Sequence, residues 1–121
     1  MSKRVLICDD SLIMRTLVSD CLTEDGWEVV DLACDGRDAA EKYQKHRPDA
    51  VTIDIVMPEY DGLYGLEKIL EFDPAAKVVV LSALDQPKLI GDAVRKGAQD
   101  FLVKPFLPAQ LKQTLTACAG A

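Results

Sequence analysis

A doubly wound α/β domain, (βα)5, is predicted on three observations, and it fits a five-stranded parallel sheet of order 2-1-3-4-5. Five short runs rich in β-branched residues alternate with five segments of helical period. Glycine and proline fall at the junctions rather than inside the runs. Three of the runs are almost wholly apolar, as strands covered on both faces must be.

The runs are Arg4–Cys8, Glu28–Ala33, Ala50–Ile53, Lys77–Leu81 and Asp100–Val103. After the first, Met14, Leu17, Val18, Cys21 and Leu22 make one apolar helix face. Ala39, Ala40 and Tyr43 give a weaker stripe before the third run. Leu63, Leu66, Ile69 and Leu70 follow it, Leu89, Ile90, Ala93 and Val94 follow the fourth, and Leu111, Leu115 and Cys118 close the chain. Asp25-Gly26, Asp35-Gly36 and Asp61-Gly62 read as turns between elements. Gly97 after Arg95-Lys96 marks a helix C-terminus, and Pro87 and Pro108 sit where a first helical turn begins. The first, third and fourth runs are the apolar ones and belong at the centre of the sheet. The second and fifth carry Glu28, Asp31 and Asp100, as edge strands can. Trp27 is expected to be packed, and His46 with Arg47 to end the second helix, where cations suit the helix dipole.

A length of 121 residues accommodates one domain, 1–121, and 49% apolar content is that of a globular chain. A net charge of −6, with no Lys/Arg run longer than two, argues against nucleic-acid binding. The longest apolar run, Val78–Leu81, is far short of the roughly 20 residues that span a bilayer, and Asp9-Asp10 interrupts any signal-peptide core. Cys8, Cys21, Cys34 and Cys118 form no CxxC pair, and His46 is the only imidazole. A cytoplasmic, monomeric protein with reduced thiols is expected.

In a sheet of this kind ligands bind beyond the carboxyl ends of the strands. Asp9 and Asp10 end the first run, Asp54 the third, Ser82 the fourth and Lys104 the fifth, so five polar groups converge on one edge. Three neighbouring carboxylates need more positive charge than Lys104 supplies, and a hard divalent cation, Mg²⁺ (with Mn²⁺ as substitute), fits an all-oxygen donor set. With a metal between Asp10 and Asp54, one Asp54 oxygen stays free as a nucleophile toward phosphorus, and Ser82 and Lys104 can contact phosphoryl oxygens.

Leu6-Ile7-Cys8-Asp9-Asp10-Ser11, Ile53-Asp54-Ile55-Val56-Met57-Pro58 with Asp61-Gly62, Leu81-Ser82-Ala83 and Lys104-Pro105-Phe106 together resemble the receiver domain of bacterial response regulators. The resemblance spans the chain and is strongest to single-domain chemotaxis regulators of this flavodoxin-like fold. It implies that Asp54 is the phosphoacceptor for a sensor histidine kinase. It further implies that Asp10, Asp54 and the Val56 backbone carbonyl ligate Mg²⁺, with Asp9 acting through water. Ser82 would be the hydroxyl that moves toward the phosphoryl group, Lys104 the cation that pairs with it, and Lys104-Pro105 a cis bond. Phe101 stands at a switch position where Tyr is common, and it cannot make the hydroxyl's hydrogen bonds. Val56 and Leu84, each two residues past a site residue, are expected to gate water in hydrolysis.

Such a protein signals by contact with a partner rather than as an enzyme; the flagellar motor switch and a separate phosphatase are the expected partners, and Lys88, Arg95 and Lys96 offer a surface for one. Two alternatives stand beside it. One is a phosphorelay intermediate or phosphate sink. The other is a metal-dependent phosphatase of haloacid dehalogenase type, against which Val56 occupies the position of the general acid.

Overall fold

β1 (Arg4–Cys8), β2 (Glu28–Ala33), β3 (Ala50–Asp54), β4 (Val78–Ala83) and β5 (Asp100–Lys104) form one parallel sheet of order β2-β1-β3-β4-β5, with the apolar runs at its centre and the charged ones at its edges as their composition predicts. The computed structural model describes residues 3–83 and 85–119. Between the strands lie α1 (Leu12–Glu24), α2 (Gly36–His46), α3 (Gly62–Phe72) and α4 (Pro87–Lys96), and α5 (Pro108–Cys118) follows β5.

Strand alternation sorts the core into two layers. Val5, Ile7, Ala50, Val79, Leu81 and Leu102 face α1 and α5, meeting Val18, Leu22, Leu111 and Leu115. Leu6, Cys8, Val51, Ile53, Val78 and Val80 face α2, α3 and α4, meeting Ala39, Tyr43, Leu66, Ile69 and Ala93. Trp27 packs into the first layer at 3% exposure. The cysteines are free thiols, and burial of Cys8 and Cys118 raises both above the ordinary thiol value, Cys118 to about 11.

Two local readings are corrected. β3, β4 and β5 extend beyond the predicted runs, so Asp54, Ser82 and Lys104 are strand residues. Asp54 pairs with Leu81, Ser82 with Val103 and Ala83 with Lys104. The neighbouring strands supply backbone partners that override the low strand preference of these side chains. Asp35 and Asp61 are not turn residues but N-caps, accepting from the Asp38 and Tyr64 N–H groups at 2.8 and 2.9 Å. The glycine after each is required by close approach. A Cβ on Gly36 would lie 2.2 Å from Asp61 O, and one on Gly62 2.3 Å from Asp54 O. The starts of α2 and α3 therefore interlock beside the carboxyl end of β3. Pro87 and Pro108 do open α4 and α5, and Gly97 ends α4 at φ 112°. His46 and Arg47 do end α2, Arg47 as its left-handed C-cap at φ 46°, and the His46 ring meets Asp31 at 3.0 Å.

Candidate functional site

The pleat decides which strand-end residues meet. Asp9 continues the face of Val5 and Ile7, Asp54 that of Ala50 and Thr52, and Lys104 that of Leu102, so all three lie over the α1–α5 layer. Lys104 Nζ is 3.2 Å from Asp9 Oδ2 and 3.4 Å from Asp54 Oδ2. Asp9 is buried, and its other oxygen accepts the Ser11 N–H at 2.9 Å. Asp10 is exposed, and oxygens of Asp9, Asp10 and Asp54 all lie within 4.8 Å of one another. Like charges about 4 Å apart repel by about 4 kcal/mol at an effective dielectric constant near 20, and one ammonium cannot offset three carboxylates. Burial raises the Asp54 carboxyl above its usual value; Lys104 opposes this, Asp9 adds to it, and the Val56 N–H opposes it.

Ser82 lies on the other face, in line with Val78 and Val80, and is fully buried. Its hydroxyl is held by Gln86, outside the carboxylate group. Phe101 pairs with Val80 on the face of Ser82, with 40% of its surface exposed. Val56 is half-exposed just beyond β3. Lys104-Pro105 is cis, as the resemblance implied. Leu84 lies outside the described residues. Of the α4 cations, Arg95 pairs with Asp92 and Lys96 with Glu67, while Lys88 is exposed.

Two residues escaped the sequence reading. Arg15, one turn into α1, donates to the Asp9 carbonyl and ties down the turn that carries both N-terminal carboxylates. Gln86 fastens the segment after β4, accepting from Ser82 and from the Ala83 N–H. A cation one helical turn past an acidic pair was a usable signal for Arg15, whereas nothing in the pattern marked Gln86.

Residues 5–116 match the family described as the response regulator receiver domain. The chain is a response regulator receiver domain. This receiver domain is 45% identical over 115 residues to the chemotaxis protein CheY of Thermotoga maritima, covering 95% of this chain and 96% of that one. It is 46% identical over 106 residues to chemotaxis protein CheY of Bacillus subtilis, 88% of each. Among solved structures it superposes on a chain of the CheX-CheY-BeF3-Mg complex from Borrelia burgdorferi with TM-score 0.89 and 40% identity, covering 94% of this chain and 87% of that one. The receiver domain is thus of the phosphoaspartate response regulator class. The dehalogenase-type and relay alternatives are not favoured.

The receiver domain's donor set also suits the divalent cation expected of it: three carboxylates and no imidazole or thiolate, which is the preference of Mg²⁺ or Mn²⁺ rather than zinc. Among the described residues no helix is long and apolar enough to cross a membrane.

Proposed function

We propose that this chain, with residues 1–121 forming one receiver domain, acts as a cytoplasmic chemotaxis switch phosphorylated on Asp54 by a sensor histidine kinase. The observation that carries the reading is the grouping of Asp54 with the Asp9-Asp10 pair, Asp9 and Asp54 being bridged by Lys104, at the carboxyl edge of the sheet. The similarity to chemotaxis proteins over nearly their whole length supports the pathway.

Each residue then has a part. An Asp54 oxygen attacks phosphorus, the bond to the donor's imidazole nitrogen breaks, and the imidazole leaves with the electron pair. Lys104, already 3.4 Å from Asp54, meets the charge on the phosphoryl oxygens. Asp10, Asp54 and the Val56 carbonyl would hold Mg²⁺ or Mn²⁺, with Asp9 acting through water, and the bound cation supplies further charge neutralisation. The Asp9 partners support that division, because Lys104 and the Ser11 N–H engage its oxygens while Asp10 faces solvent. Ser82 and Phe101 carry the change of state, and the exposed Val56 side chain restricts water in hydrolysis. Output is by contact, as a monomer, with the flagellar motor switch, and a phosphatase resets the signal.

The test is labelling by small phosphodonors in excess Mg²⁺. Asp54→Asn is expected to abolish labelling with the fold intact by circular dichroism. Stoichiometric labelling of that variant overturns the assignment.

A further inference from the structure

Ser82 has one hydroxyl proton and two acceptors for it. Its Oγ lies 3.1 Å from Gln86 Oε1 and 3.2 Å from the Ala83 carbonyl oxygen. The Ala83 N–H donates to the same Gln86 oxygen at 3.1 Å. An N–H can only donate, so the Gln86 atom facing both groups is its carbonyl oxygen, and Ser82 must be the donor toward it. A phosphoryl oxygen is likewise only an acceptor. A Ser82 bond to Gln86 and a Ser82 bond to a phosphoryl group on Asp54 are therefore mutually exclusive.

Gln86 also stands at the N-cap of α4. Its side chain makes no hydrogen bond to its own helix and turns back onto β4, while its backbone carbonyl accepts the Ile90 N–H at 3.2 Å. One side chain thus couples the Ser82 rotamer to the first turn of α4. Ser82 is fully buried, so its hydroxyl does not exchange this partner for bulk water.

We propose that Gln86 is a latch: it holds the Ser82 hydroxyl in the unphosphorylated arrangement and lets go when Ser82 bonds the phosphoryl group. It is a positioning residue, acting through Ser82, and the proposal rests on the reading of Asp54 as phosphoacceptor. Release removes one of the ties between the start of α4 and β4, the Ala83 bonds to Gln86 being the others, which gives the phosphorylated form a different surface there.

The measurement is the affinity of the full chain for beryllofluoride, a phosphoryl mimic, by calorimetry in excess Mg²⁺. Gln86→Ala and Gln86→Met remove the acceptor, and methionine keeps the length of the side chain. Each is expected to bind beryllofluoride about three- to tenfold more tightly than the parent, the scale of one net hydrogen bond. In a Ser82→Ala background both changes should leave affinity unaltered. A cap with only a structural part lowers the melting temperature without making affinity depend on Ser82. Unchanged or weaker binding by both variants overturns the latch, as does an equal gain in the Ser82→Ala background. Beryllofluoride binding that survives Asp54→Asn overturns the phosphoacceptor reading instead, whatever Gln86 does.

Discussion

Thr52 lies two residues before Asp54, paired with Ile7 on one side and Val79 on the other. It is fully buried, and its Oγ1 has no hydrogen-bond partner among the described residues. Leaving a buried hydroxyl unpaired costs about 1–3 kcal/mol. Thr52→Val removes the hydroxyl and keeps the branched shape, so it is expected to stabilise the chain by about 1 kcal/mol, read as a higher urea midpoint with unchanged slope. A loss of stability would mean that the hydroxyl is satisfied in solution. At this scale the sequence marked Asp9, Asp10, Asp54 and Lys104, because strand-end position needs only the run boundaries and the chain order. Gln86 was not legible in the same way, since its bonds to Ser82 and Ala83 cross a loop whose course periodicity does not encode, while the spacing of Arg15 after the acidic pair was a signal left unread.

At the level of elements, the β3–α3 connection carries the clearest strain. Glu59 sits at φ 65°, a left-handed conformation that a residue with a long side chain adopts at a cost. Glu59→Asn or Glu59→Gly should stabilise by about 0.5–1 kcal/mol in thermal melts, with the glycine gain reduced by its freer unfolded chain. The neighbouring Gly62 has the opposite sign. A Cβ there would press on Asp54 O and on Ile55 Cα, at 2.3 and 2.7 Å. Gly62→Ala is expected to cost more than about 2 kcal/mol and to slow phosphodonor labelling, because the backbone it displaces carries Asp54. The Asp-Gly pairs were visible in the sequence, but their meaning as cap plus close approach came from tertiary contact. An Asp-Gly pair signals equally a turn or a helix start, and only the packing of α2 against α3 distinguishes them here.

For the whole molecule, the carboxylate edge sets stability against pH and metal. Burial holds the Asp54 carboxyl above its ordinary pKa, against Lys104 and with Asp9. The folded chain therefore keeps a proton there at a pH where the unfolded chain has lost it. That contribution is present below the unfolded value and is lost as pH rises through the folded value, so ionised Asp54 lowers stability at neutral pH. In chelator at pH 7, Asp54→Asn should melt about 2–5 °C higher than the parent, the shift that relief of about 1 kcal/mol gives a chain of this size. Millimolar Mg²⁺ should raise the parent's melting temperature and move the variant much less, by mass action on the folded state. Equal responses to Mg²⁺ would remove Asp54 from the cation site. Asp31 works in the other direction. Burial pushes it up, but the Leu32 N–H, His46 and Lys42 hold it below the ordinary range, so its contribution is lost on acidification.

Asp54, Ser82 and Lys104 are rungs of the sheet as well as parts of the proposed site. They stand in the pairing register that joins β3, β4 and β5, in which β3 and β4 are central strands and β5 is an edge. Regions that open locally exchange their amides early, while central strands wait for global unfolding. Asp54 and Ser82, on the central strands, are therefore expected to stay paired while the domain is closed. Adaptation must come from side-chain rotamers and from the loops that follow the strands. Heat should extinguish phosphodonor reactivity in the same cooperative step that melts the sheet, with no warm, folded and unreactive form in between.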